Sequence, residues 1–169
     1  MLEHIHFHDR ITQIGEQAFA YCNSLTSIVI PENILYMCYG AVSNCRNLTN
    51  ITLPSTLTVI EHSLFRGDTA LVTQTLPENI KTIRQYAFYG CTSLANITIP
   101  ARVEKIEQLA FNSCSALTEI TIEAETPPVL DDINAIPNNV EMIFIPDGTL
   151  TAYQTATNWS NFADKFVES

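Results

Sequence analysis

One spacing governs this chain. Starting at Ile11 and stepping by 23 residues lands on Ile34, Leu57, Ile80 and Val103, all aliphatic. Three positions further on stand Ile14, Met37, Ile60, Ile83 and Ile106. An Ala-Phe pair follows as Ala18-Phe19, Ala41-Val42, Leu64-Phe65, Ala87-Phe88 and Ala110-Phe111. A cysteine column comes next (Cys22, Cys45, Asp68, Cys91, Cys114), then a leucine column (Leu25, Leu48, Leu71, Leu94, Leu117). Each unit closes on an alternating pair: Ile28 and Ile30, Ile51 and Leu53, Gln74 and Leu76, Ile97 and Ile99, Ile120 and Ile122. A unit this short cannot bury its own apolar face, so a fixed period of this length means stacked copies and one continuous core.

Run backwards, the period places Leu2, Ile5 and Phe7 on the closing columns; run forwards, it places Val140, Ile143 and Ile145 there. Seven strands are therefore expected, centred near residues 5, 28, 51, 74, 97, 120 and 143. Ile97 and Ile99 point inward while Asn96 and Thr98 point out, the period of two that a strand imposes. One full coil per unit returns the chain in the same direction, which makes the sheet parallel and in register. Pro31, Pro54, Pro77 and Pro100 end four of the strands, because proline has no N–H for the ladder. Residues 81–90 are expected to hold a second short extended arm and then a helical or 3₁₀ turn around Gln85-Tyr86-Ala87-Phe88.

The division that follows is a solenoid over 1–148, made of a half unit (1–10), five full units (11–125) and a degenerate unit (126–148). Residues 149–169 depart from the period and read as a C-terminal helical cap. There Asp147 or Thr149 starts a helix presenting Leu150, Tyr153 and Ala156, and Ser160 caps a second turn carrying Phe162 and Phe166. Terminal coils must hide an open apolar end, a task for Trp159, Phe162 and Phe166; a dimer contact through these aromatics is the other reading.

The pattern Ile-x-x-Ile-x-x-x-Ala-Phe-x-x-Cys-x-x-Leu-x-x-Ile-x-Ile-Pro resembles the BspA-like subclass of leucine-rich repeats, over about residues 2–148. The resemblance implies an α/β or mostly-β repeat solenoid: a curved right-handed superhelix with its parallel β-sheet on the concave face. It also implies a secreted or cell-surface protein of host-associated bacteria or some protists, acting in adhesion or protein interaction and carrying no catalytic motif.

Unit three breaks its columns with Leu64 for Ala, Asp68 for Cys and Gln74 for Ile. An inward Gln must find partners or cost about 1–3 kcal/mol, so the coil is either distorted there or supplies backbone groups and water. Asp68 is expected to bond turn amides instead of lying dry in the core. The four column cysteines and the separate Cys38 read as buried free thiols, because side chains stacked in register are poorly aimed for disulfides.

Candidate binding residues are the outward positions of the strands: Ser27, Val29, Asn50, Thr52, Thr73, Thr75, Asn96, Thr98, Glu119, Thr121, Met142 and Phe144. They form a hydroxyl- and amide-rich face suited to a protein or glycan ligand, although threonine is also simply a good residue on a half-exposed strand. His4 and His6 share one face of the first strand and are candidate metal ligands, with Glu3 or Asp9 assisting; otherwise they are ordinary polar residues. No cofactor is implied. Net charge −10 argues against nucleic acid, which needs clustered Lys and Arg, and Lys81, Arg84, Arg102 and Lys105 are interleaved with Glu78, Glu104 and Glu107. No apolar run reaches the length of a membrane span, and Met1-Leu2-Glu3-His4 does not read as a signal peptide. Leu2 sits mid-unit, so either upstream repeats or a leader are expected in the native protein, or it starts with an open half-repeat and an exposed sheet edge; a cytoplasmic location is the alternative to export. Scattered glycines and histidines without a neighbouring nucleophile offer no catalytic constellation. Three functions follow: an interaction or adhesion module using the concave face, a structural segment of a larger surface protein, or metal-dependent assembly through the histidines. The oligomeric state is left open.

Overall fold

The computed structural model describes residue 5 and residues 7–169. In chain order the elements are β1 (Gln13–Ile14), β2 (Ser27–Val29), β3 (Tyr36–Met37), β4 (Asn50–Thr52), β5 (Val59–Ile60) and β6 (Thr82–Ile83). They continue with β7 (Asn96–Ile99), β8 (Lys105–Ile106), β9 (Glu119–Ile122), β10 (Val129–Leu130), β11 (Met142–Ile145), helix α1 (Leu150–Thr155) and β12 (Phe166–Glu168). Pairings are parallel and repeat the sequence period, as in Ile28 with Ile51 and Ile97 with Ile120. The chain is a parallel-strand solenoid, and its leucine column forms one buried file: Leu25, Leu48, Leu71, Leu94 and Leu117 are each 2% exposed or less. Short arms β1, β3, β5, β6, β8 and β10 supply a second ladder on the neighbouring side.

One of the seven expected strands is not there: rung three, around Gln74, is irregular. The strand expected near residue 5 falls largely outside the described residues, of which Ile5 and Phe7 pack against the core. Elsewhere the sheet is tied by the N–H of one residue to the carbonyl 23 positions earlier, as in Thr49 to Thr26 and Thr118 to Ala95. By that rule Gln74 N–H would take Ile51 O; instead the buried Gln74 side chain takes it, Nε2 donating at 3.3 Å, and also donates to Thr75 O at 2.8 Å. The inward amide thus satisfies itself at the expense of the ladder. Among the described residues no backbone hydrogen bond joins 50–52 to 73–75, and β3, paired with β1, and β5, paired with β6, do not pair with each other. Both ladders therefore stop between units two and three.

The turns also differ from expectation. Each makes i→i−3 hydrogen bonds, such as Ala87 N–H to Arg84 O and Tyr89 N–H to Tyr86 O. In the degenerate unit these extend into a 3₁₀ helix at Ile133–Ala135, but in the five full units they do not. The reason is a left-handed residue at two places per turn. Gln17, Gly40, Ser63, Tyr86 and Leu109 form one such column and Tyr21, Asn44, Gly67, Gly90 and Ser113 the other, with φ between 51° and 76°. Left-handed backbone costs L-residues about 1–2 kcal/mol each, which the stack supports by repeating one geometry. At Gly67 (φ +76°) an added Cβ would also stand 2.5 Å from Asn44 Oδ1. Gly67→Ala should accordingly lower stability by about 1–2 kcal/mol in urea titrations.

The tail keeps the period after all. β12 pairs with β11 with Phe166 opposite Ile143, 23 residues on, and adds a rung to the sheet; Phe166 lies in this strand and not in a helical turn. Thr149 stands at the start of α1 without a capping bond, its hydroxyl donating to Pro146 O. Asn158, not Ser160, begins the 3₁₀ turn Trp159–Phe162. The tail is stapled to the degenerate unit by polar tips on buried rings: Tyr153 hydroxyl to Ala124 O at 2.6 Å and Trp159 Nε1 to Pro128 O at 2.7 Å.

Candidate functional site

The twelve candidate residues all lie on the outer side of the sheet positions, but not in equal exposure. Ser27, Val29, Asn50, Thr52, Thr73, Thr75, Asn96 and Thr98 are exposed; Glu119, Thr121, Met142 and Phe144 are half-buried. The break at rung three groups the middle of this set. A cleft of about 430 Å³ between rungs two and three is lined by Asn50, Thr52, Thr73 and Thr75, with Glu32, Ser55 and Glu78 at its rim. A second, of about 290 Å³, lies between rungs three and four and is lined by Thr73, Thr75, Asn96 and Thr98, with Glu78 and Glu123 at its rim. Ser27, Val29, Glu119, Thr121, Met142 and Phe144 line neither cleft. Glu32 is held in place, accepting from Ser55 N–H and hydroxyl at 2.9 and 2.8 Å. The face offers hydroxyls, amides and carboxylates to a polar ligand, with no nucleophile set against a base.

Across the broken ladder, side chains replace backbone. Glu61, 4% exposed, accepts from Tyr36 hydroxyl at 2.7 Å and from Arg84 Nη1 at 3.1 Å, so one carboxylate joins units two, three and four. The bond to Glu61, followed by burial, raises the Tyr36 phenol above its ordinary range. On the inner side Asp68 Oδ1 accepts from Cys45 N–H at 2.8 Å. Asp68 thus bonds a turn amide as expected, but it is also fully buried, and among the described residues its Oδ2 has no partner. Burial pushes its carboxyl up to about 9.

The cysteines are free thiols. Cys45, Cys91 and Cys114 donate to the carbonyls of Phe19, Phe65 and Phe88, each 26 residues earlier, at 3.0–3.1 Å. Burial pushes the Cys45 thiol up to about 12 and raises Cys91 as well, which disfavours their thiolates; Cys22, expected to be buried like the rest, is half-buried at the edge of the first unit. Of the basic residues of units four and five, Lys81 pairs with Glu104 at 3.3 Å, Arg84 with Glu61 at 3.1 Å and Lys105 with Asp131 at 3.0 Å, while Arg102 donates to Asn79 Oδ1 at 2.9 Å. Among the described residues no cluster of His, Cys, Asp or Glu could hold a metal; His4 and His6 lie outside those residues. No described helix is long and apolar enough to cross a membrane.

A group that the sequence columns do not display sits on the turns. Tyr39 and His62 have ring centroids 5.1 Å apart, His62 and Tyr86 5.5 Å, and Tyr86 and Tyr89 5.4 Å. The Arg66 guanidinium lies 5.5 and 5.3 Å from the centroids of Tyr86 and Tyr89. These residues occupy variable positions around the Ala-Phe pair, so the only signal in the sequence is a local excess of tyrosine in the turns.

Comparison with known proteins bears on this architecture. The family model described as BspA type leucine rich repeat region matches residues 1–118 and 37–156. Among solved structures, a leucine rich cell surface protein from Faecalibacterium prausnitzii is 36% identical with a TM-score of 0.65, covering 66% of this chain and 30% of that one. The T. pallidum leucine rich repeat protein (22% identity, TM-score 0.66, 92% and 76% covered) and pneumococcal vaccine antigen PcpA (18%, 0.74, 96% and 38%) share the fold. The chain thus spans less than two fifths of the length of the first and last of these. Comparison with curated proteins finds no match.

Proposed function

The chain belongs to the BspA-type leucine-rich repeat family, and on that premise we propose that it is a non-catalytic interaction or adhesion module that binds a protein or glycan through its sheet face. One observation carries the reading: the break at rung three, which opens two adjoining clefts in a polar face that a regular ladder would leave flat. The name of the Faecalibacterium relative, a cell surface protein, supports a surface-exposed setting for such a module.

Placing three carboxylates on the face, with Thr52→Glu, Thr75→Glu and Thr98→Glu together, should weaken binding to any captured matrix protein or glycan by at least ~tenfold, because each unpaired charge must be desolvated against the ligand. All three positions are exposed, so the fold should hold, and near-UV circular dichroism checks it. Unchanged affinity refutes this face. If matrix proteins and a glycan array both fail to bind the wild type, a structural segment of a longer surface protein is the better reading.

A further inference from the structure

We propose that a pocket on the turn side of units one to three, away from the sheet face, binds a carboxylate-bearing sugar such as a uronate or sialate unit of a glycan. The pocket, of about 190 Å³, is lined by Gln17, Tyr21, Tyr39, Ser43, Asn44, Ser63 and Arg66. Arg66 is its one charged group, in a chain of net charge −10, so an anion meets a local cation with no carboxylate in the lining. The Arg66 guanidinium packs against the rings of Tyr86 and Tyr89 at the edge of the pocket, and its planar fork is the group that suits a bidentate carboxylate.

The remaining groups suit a polyol. Ser43, Gln17 and Asn44 line the pocket with one hydroxyl and two amides, and none of these is a sealed, unpartnered group. Hydroxyls and amides of this kind match the donors and acceptors of a polyol. Ser63 is fixed by His62 Nδ1 at 2.9 Å. Tyr21 and Tyr39, 65% and 39% exposed, present ring faces on which the C–H face of a pyranose can lie. Gln17, Tyr21, Asn44 and Ser63 all stand at the repeated left-handed positions, so the donors are carried on a backbone that the stack holds in one shape. A peptide side chain would find little apolar surface here, which favours a sugar over an acidic peptide.

Calorimetry with trigalacturonate and 3′-sialyllactose, against lactose and hexaglutamate, tests the assignment. At least one acidic sugar should saturate, and lactose should bind at least ~tenfold more weakly because it lacks the charge that Arg66 pairs. Arg66→Gln should abolish binding, Arg66→Lys should keep part of it, and Tyr21→Ala, at a site too exposed to matter for folding, should weaken it several-fold. The three Thr→Glu changes on the sheet face should leave it intact, which separates this site from the face proposed above. The proposal is overturned if neither acidic sugar saturates, or if Arg66→Gln and Tyr21→Ala bind as the wild type does. Binding of hexaglutamate with both sugars silent would also overturn it, in favour of an acidic-peptide site.

Discussion

Phe88→Ala should destabilise the protein by about 3–5 kcal/mol, the upper range for truncating a buried aromatic. Phe88 stacks between Phe65 at 4.9 Å and Phe111 at 5.2 Å, with planes 22° and 8° apart, and all three rings are fully buried. Its removal leaves a ring-sized hole bounded by copies of itself. Neither neighbour can slide in, because Phe65 N–H is tied to Ala87 O and Phe88 N–H to Ala110 O at 2.8 Å, so each turn is pinned to the next. In a solenoid each unit contacts only its neighbours, and the loss falls on two interfaces at once. Urea denaturation followed by far-UV circular dichroism gives the value, and a loss below about 1 kcal/mol would show that the turns relax in a way the stacking geometry forbids.

The second large effect concerns pH. Asp68 is buried with Oδ2 unpartnered, and its carboxyl is raised from 3.8 to about 9, burial outweighing the hydrogen bond from Cys45 N–H. Below 3.8 folded and unfolded chains both hold the proton, and the group imposes no pH dependence. Between 3.8 and about 9 the unfolded chain has released a proton that the folded chain retains. Stability is therefore lost as pH rises through this window, by up to about 1.4 kcal/mol per unit, and stays low above it. Asp68→Asn keeps an oxygen for Cys45 N–H and cannot ionise. It should be more stable than the wild type by about 2–4 kcal/mol at pH 8, after allowing for its own buried amide, and the advantage should vanish near pH 4. Parallel pH profiles for the two proteins would show that Asp68 is ionised in the fold after all.

Unit three shows where a periodic reading reaches its end. Leu64, Asp68 and Gln74 announce a disturbance by type alone, and the two remedies that the residues allow, local distortion or backbone partners, turn out to be one event. Gln74 finds its partners by distorting the ladder. Asp68 bonds a turn amide with one oxygen, as its polarity suggests, while its other oxygen is buried without one among the described residues. At the end of the tail the period was hidden: Phe166 falls 23 residues after Ile143, but the helix α1 and the 3₁₀ turn between them replace the usual columns. Of the candidate face, the outward residues were legible by alternation, whereas their grouping into clefts was not. The turn pocket was not legible at all.

The amino-acid sequence alone determined the solenoid, its period, the buried leucine file and the free state of its column cysteines. It could do so because in a stacked array each side chain meets its own copy, and a column in the alignment is a column in space. What only the tertiary structure decided involves unlike residues from different units. Tyr36 reaches Glu61 across 25 residues, Arg66 lies over Tyr86 and Tyr89, and Gln74 trades its backbone bond for a side-chain one. Left-handed turn residues belong here too, since glutamine, tyrosine and leucine do not advertise a positive φ; the neighbouring coils impose it on them.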